Sequence, residues 1–114
     1  MKSKRQSAKP LTTFQQRVYE ALLHVPPGRA TTYSALAEKA GCGSARAVGQ
    51  ALRANPFAPQ VPCHRVVRAD GSIGGFFGRN SNAAMDEKRR LLEAEGVGFD
   101  EAGRVGERFI LRSL

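Results

Sequence analysis

The sequence predicts a mainly α domain built on a helix-turn-helix, winged-helix-like and of the DNA-binding kind, finished by a small C-terminal β-hairpin. Three observations carry that prediction. Two short amphipathic segments, each preceded by Ser or Thr, flank the turn Gly41-Cys42-Gly43, the organisation of helix, tight turn and helix. Residues 1–65 hold ten Lys or Arg against two acids, Glu20 and Glu38, whereas residues 66–114 hold eight of each, so the formal charge of +8 belongs to the half containing those helices. A basic surface of that kind suits a polyanionic partner. Strand-favouring stretches return at the end, in Phe99-Asp100-Glu101-Ala102-Gly103-Arg104-Val105 and Phe109-Ile110-Leu111, as a terminal hairpin would require.

With 114 residues the chain has room for one domain and one modest core, taken as residues 11–114. Residues 1–10, Met-Lys-Ser-Lys-Arg-Gln-Ser-Ala-Lys-Pro, are basic and aperiodic, and are expected to form a flexible tail that either touches phosphates or only solubilises. Apolar residues make up 41% and charged residues 25%, ordinary for a soluble protein, and no apolar run has the length of a membrane span or signal-peptide core. A cytoplasmic location without a membrane partner follows. Cys42 and Cys63 are the only cysteines; a disulfide framework is not expected, and with His24 and His64 they do not make a metal site.

Taken in order, Thr12 or Thr13 caps a first helix with Gln15 or Gln16 three residues on, and Phe14, Val18, Ala21, Leu22 and Val25 share its buried face up to Pro26-Pro27-Gly28. His24, near the end of that helix, is assigned no chemistry. Thr31-Thr32 precede a second helix from Tyr33 to Ala40, which the glycines of the turn stop; Cys42 is read there as a small inert side chain. Ser44 caps a third helix from Ala45 to about Ala54, with Ala45, Val48 and Leu52 facing the core and Arg46, Gly49, Gln50 and Arg53 on the opposite side. Small residues between the arginines let the helix backbone approach a groove.

Asn55-Pro56 ends this helix, because the residue before proline avoids the α region. An extended Phe57-Ala58-Pro59-Gln60 then leads to Val61-Pro62-Cys63-His64-Arg65-Val66-Val67, where a nucleophile and a base are adjacent on a backbone stiffened by proline. The thiolate is the reactive form of cysteine, and His64 and Arg65 supply a base and a positive charge. Asp70-Gly71-Ser72 is a turn; Gly74-Gly75-Phe76-Phe77-Gly78 either walls a pocket for a flat ligand or covers the core. Asn82 is expected to cap a last helix burying Met85, Leu91 and Leu92 and ending at Glu95-Gly96. An acid in a last turn opposes the helix dipole, so Glu95 is either a tolerated surface charge or has a specific partner.

Ala45-Arg46-Ala47-Val48-Gly49, Asn55-Pro56, Val61-Pro62-Cys63-His64-Arg65-Val66-Val67, Asp70-Gly71, Gly74-Gly75-Phe76 and Lys88-Arg89-Arg90-Leu91-Leu92-Glu93-Ala94-Glu95-Gly96 occur in this order. Together they resemble the active-site domain of O6-alkylguanine-DNA alkyltransferases, roughly from residue 12 to residue 97. The resemblance implies direct DNA repair by a methylated-DNA–protein-cysteine methyltransferase: an alkyl group on guanine O6 moves irreversibly to Cys63, and each molecule acts once. His64 resembles the base that takes the thiol proton through a water, Glu95 the carboxylate that orients it, and Asn55 the hinge between helix and active-site turn. The nucleotide must leave the stack to react. Arg46 resembles the finger that replaces it, on a helix used in the minor groove, and Tyr33 the tyrosine beside the target phosphate. Thr32, Ala45, Gln50 and Arg53 complete the implied DNA contacts, and Val61, Pro62, Tyr33, Phe76 and Phe77 the implied substrate pocket. No cofactor is implied. The partner is double-stranded DNA containing O6-alkylguanine, bound by a monomer that can cluster on DNA, in a prokaryotic-type, nucleoid-associated setting.

Two departures stand out. Only the short tail precedes the first helix, so the amino-terminal domain of many members, with any metal it holds, is expected to be missing. Phe76-Phe77 stands where the family more often has tyrosine and a small residue, which bears on pocket size. The alternative is an alkyltransferase-like protein that binds the lesion and passes it to excision repair; those proteins carry tryptophan in place of the cysteine, against Cys63 here.

Overall fold

The computed structural model describes residues 11–58, 60–75, 79 and 81–114; the expected basic tail, Phe76 and Phe77 lie outside them. Helix α1 (Thr13–Leu22) begins with a reciprocal cap, in which Thr12 Oγ1 accepts from the Gln15 amide and Gln15 Oε1 accepts from the Thr12 amide, each at 3.0 Å. It stops before Pro26 because the amides of His24 and Val25 tighten onto the carbonyls of Ala21 and Leu22. Strand β1 (Ala30–Thr32) runs straight into helix α2 (Tyr33–Ala40), and Thr32 Oγ1 accepts from the Ala35 amide at 3.0 Å to cap it. Gly41 ends α2 at φ 82°, a left-handed conformation that glycine adopts without a Cβ clash. Ser44 then caps helix α3 (Ala45–Arg53) through its bond from the Ala47 amide, completing the helix, turn and helix that the glycines announced.

Beyond α3 come strand β2 (Val66–Val67), helix α4 (Asn82–Ala94) and strand β3 (Ile110–Leu111). The sheet has the order β2-β1-β3 and both its pairings are parallel, Thr31 opposite Val66 and Ala30 opposite Ile110. Thr31 Oγ1 adds a 2.6 Å bond to the Leu111 carbonyl. One core cluster joins α1, α2 and α3 through Val18, Leu22, Leu36, Val48 and Leu52 and includes Cys63; the second, around Ala30, Val67, Leu92, Val97 and Ile110, lies between the sheet and α4. The nucleophile candidate therefore rests on the helical core, and the residues after it enter the sheet.

Several expectations are corrected. The terminal hairpin is reduced to one antiparallel bridge, Phe99 to Val105, because Asp100 gathers the amides of Ala102 and Arg104 into a tight loop. A 3-10 turn (Glu107–Phe109) then redirects the chain, and β3 pairs in parallel with β1 instead. Ala45, expected in the core, is exposed at the first position of α3, and Ala51 is buried with Val48 and Leu52. The cap of α4 is Ser81, whose Oγ accepts from the Ala84 amide, not Asn82. Leu91 is exposed, since α4 turns Ala84, Lys88 and Leu92 inward at four-residue spacing. The approach to Pro62 departs from the expected extended form, since the Val61 amide bonds back to the Phe57 carbonyl at 2.9 Å.

Candidate active site

Pro62 stands immediately before a single 3-10 turn, Cys63–Arg65, that leads into β2. The turn is closed by the Arg65 amide on the Pro62 carbonyl at 2.9 Å, a short-range bond compatible with the fixed proline φ. Its position is set by Asn55. That buried side chain donates from Nδ2 to the Val61 carbonyl at 3.0 Å and accepts at Oδ1 from the Phe57 amide at 2.9 Å. The end of α3 and the approach to Cys63 are thus tied by one amide, the arrangement expected of a hinge.

Cys63 and His64 are both buried. Burial raises the Cys63 thiol above its ordinary pKa, with the Asn55 amide and the Lys88 ammonium pulling the other way. Burial likewise lowers the imidazole of His64, against the raising influence of Glu95. The resting pair is thiol and neutral imidazole. Nε2 of His64 lies 3.0 Å from Oε2 of Glu95, and a carboxylate can only accept, so Nε2 carries the proton and Nδ1 is left as the basic nitrogen. Burial works against the Glu95 carboxylate, but Arg65 and His64 outweigh it and hold its pKa below the usual range. Arg65 binds Oε1 through Nε at 2.9 Å and Oε2 through Nη2 at 2.6 Å. Glu95 is the C-cap of α4, and the acid that opposes the helix dipole has its specific partners.

Lys88 is the residue that sequence reasoning passed over. It is 0% exposed, and its Nζ donates to the carbonyls of Ile73 at 2.6 Å and Gly75 at 2.9 Å. No carboxylate pairs with it among the described residues. Burial pushes its pKa down to about 7, with a Cys63 thiolate opposing that shift. The signal was present: a lysine between Ala84 and Leu92, four residues from each, occupies the apolar stripe of α4. Lys88 Nζ also stands 5.8 Å from the centre of the Tyr33 ring. Gly74 adopts φ 72°, a conformation that L side chains rarely take, and a Cβ there would press on the Tyr33 hydroxyl at 3.2 Å. Burial raises the Tyr33 phenol pKa, partly offset by Arg68.

The structure brings Cys63, His64, Glu95, Asn55, Val61, Pro62 and Tyr33 to this end of the molecule through named bonds or shared burial. Arg46, Gln50 and Arg53 occupy the exposed face of α3, with Ala45 exposed at its start. Thr32 is buried, and its hydroxyl accepts the Ala35 amide that opens α2. Phe76 and Phe77 of the expected pocket lie outside the described residues. Among the described residues, no helix is long and apolar enough to cross a membrane.

Comparison with known proteins places this geometry among relatives. Residues 13–97 match the family described as 6-O-methylguanine DNA methyltransferase, DNA binding domain. The methylated-DNA–protein-cysteine methyltransferase of Methanothermobacter thermautotrophicus is 44% identical over 89 residues, 78% of this chain and 47% of that protein. The crystal structure of Mycobacterium tuberculosis OGT in complex with DNA superposes with a TM-score of 0.68 at 45% identity, over 76% of this chain and 51% of the other. S. pombe Atl1, in complex with damaged DNA containing O6-carboxymethylguanine, superposes with a TM-score of 0.73 at 28% identity, over 91% of this chain and 99% of the other. The chain spans about half the length of the curated relatives it matches.

Proposed function

Since the chain belongs to the family of the 6-O-methylguanine DNA methyltransferase DNA-binding domain, we propose that it repairs O6-alkylguanine in duplex DNA by accepting the alkyl group on Cys63. The observation that carries the reading is the buried Cys63 followed by a buried His64 whose Nε2 is engaged by Glu95 at 3.0 Å. That is a nucleophile, a base and a group that orients the base.

In the proposed reaction Nδ1 of His64 receives the thiol proton through a water, and the sulfur attacks the alkyl carbon. The S–C bond forms as the C–O6 bond breaks, with the bonding electrons passing to guanine. Guanine takes up the proton, so the net change is one alkyl group exchanged for one proton, and a thioether that nothing in the site reverses. Lys88 stabilises the thiolate along the way, because a buried cation beside a forming anion acts in a low dielectric. The base reaches the thiol only after leaving the helix. α3 acts as the recognition helix of a winged-helix-like module in the minor groove, with Arg46 filling the vacated stack, Gln50 and Arg53 on the backbone and Tyr33 beside the target phosphate. The tail 1–10 adds phosphate contacts, and the protein works as a monomer in the cytoplasm of a prokaryotic-type cell.

The similarity to Atl1 along nearly all of that chain favours a second reading, lesion binding without chemistry and transfer of the damaged site to excision repair. Incubating the protein with a duplex containing O6-methylguanine and measuring its intact mass separates the two. Gain of one methylene on wild type and none on Cys63→Ala supports transfer; tight binding with no mass gain supports the second reading.

A further inference from the structure

We propose that Arg65 is a positioning residue for the transfer: its guanidinium sets the Glu95 carboxylate in the one orientation that serves His64 and anchors it to the turn that follows α1. The proposal rests on the reading of Cys63 as the alkyl acceptor. Three bonds from one side chain carry it. Nε and Nη2 take the two oxygens of Glu95 at 2.9 and 2.6 Å, and Nη1 donates to the Val25 carbonyl at 2.8 Å. A planar fork on a planar carboxylate fixes rotation as well as distance.

The oxygen bound by Nη2 is the same Oε2 that accepts from His64 Nε2 at 3.0 Å. Arg65 therefore governs both where that oxygen sits and how much negative charge His64 meets. A carboxylate already shared with a guanidinium orients the imidazole without holding a second proton on it. The groups facing His64 are Glu95 from the end of α4, Lys88 from its middle, and Arg65 and Cys63 from the 3-10 turn. Glu95 raises the imidazole pKa; Arg65 and Lys88 lower it along with burial. Without Arg65 the Glu95 charge would act on His64 undivided, the base would titrate at higher pH, and it would already be protonated where the reaction needs it neutral. The anchor to Val25 also ties this setting to the segment before β1 and Tyr33, so the base and the DNA-facing helices share one fixed frame.

The test compares wild type, Arg65→Gln and Arg65→Lys. Single-turnover methyl transfer from duplex DNA is measured across roughly pH 5 to 9, and the His64 ring is titrated by NMR over the same range; His24, the other histidine, is removed in all three proteins. In Arg65→Gln the acid-side midpoint of the rate should rise by about one pH unit, and the His64 midpoint should rise with it. Arg65→Lys keeps the charge but not the fork, and should lose rate with a smaller shift. If Arg65→Gln does not fold, as judged by circular dichroism, the lysine variant decides on the same readings. A rate reduced by one factor at every pH, with the His64 midpoint unmoved, would overturn the proposal and leave Arg65 a structural tie. Absence of transfer in wild type would refute the proposed function, and the His64 titration would still decide the role of Arg65.

Discussion

Lys88 Nζ donates to the Ile73 carbonyl at 2.6 Å from a side chain with no exposed surface. A lysine in that position loses its hydration and gains no carboxylate among the described residues, only two carbonyl dipoles and the neighbourhood of Cys63. Burial of an ion on such terms is unfavourable, and a buried titratable group next to a nucleophile marks a role at Cys63 as the prediction to test. Lys88→Met should raise the apparent pKa of Cys63 and slow methyl transfer by about ten- to a hundredfold, roughly 1.4–2.7 kcal/mol in the barrier. Alkylation of the thiol by iodoacetamide as a function of pH reads the first effect directly. An unchanged midpoint would show that Lys88 serves only to hold the loop at Ile73 and Gly75.

The same residue makes stability depend on pH. Lys88 has a folded pKa of about 7 against an ordinary value of 10.5, so between those values the unfolded chain binds more protons than the folded one. Stability contributed by the neutral amine is present above the ordinary value and is lost as pH falls towards the folded one. The slope for a full proton is about 1.4 kcal/mol per pH unit. Cys63, raised above its ordinary 9.0, works in the opposite sense once the unfolded thiol ionises. The clean window lies between those two pKa values, from about 7 to 9.0, where the urea midpoint should climb with pH and Lys88→Met should flatten the climb. A flat profile in wild type would mean that the ammonium keeps its proton inside the fold.

The sequence made the helices legible because their ends are chemically marked. Thr12, Thr32, Ser44 and Gly41 do what their side chains, or the lack of one, dictate locally. Cys63, His64 and Glu95 were legible by resemblance, and Glu95 also as an acid misplaced in a helical last turn. The parallel pairing of β3 with β1 was not legible, because Ile110 meets Ala30 across 80 positions and nothing in two apolar residues specifies a partner. The hairpin expectation followed sequence proximity, and the Asp100 loop used up that proximity in one bridge. Arg65 was read as a positive charge for the Cys63 thiolate, whereas its guanidinium is engaged by the Glu95 carboxylate and the Val25 carbonyl. Lys88 was marked only by its place in the apolar stripe of α4, and its partners, the Ile73 and Gly75 carbonyls, are ones no side-chain pattern specifies.

Asn55 offers a test of the hinge. Asn55→Ala removes the donor to Val61 and the acceptor for Phe57 in a buried position, which should destabilise the domain by about 1–3 kcal/mol. Rate should fall further than the loss of folded protein explains, since the Cys63 turn would no longer be held to α3. Denaturation curves and single-turnover rates on the same preparation give both quantities. A rate that tracks the folded fraction alone would confine Asn55 to stability.

Arg46 sits at the start of α3 on the exposed side, while Val48, Ala51 and Leu52 hold the helix from within. Arg46→Ala should therefore leave stability within about 0.5 kcal/mol of wild type, and any change in repair reports on DNA. Two roles make different forecasts. A side chain that fills the space of the extruded nucleotide matters only when a duplex must be opened, so duplex repair should fall at least about tenfold while reaction with the free alkylated base is unchanged. A phosphate contact would instead weaken binding to any sequence and reduce the slope of log affinity against log salt by about one. Measuring duplex repair, free-base reaction and the salt slope together assigns the residue. Loss on the duplex with the slope preserved is the expected result, and equal loss on both substrates would sink the finger role.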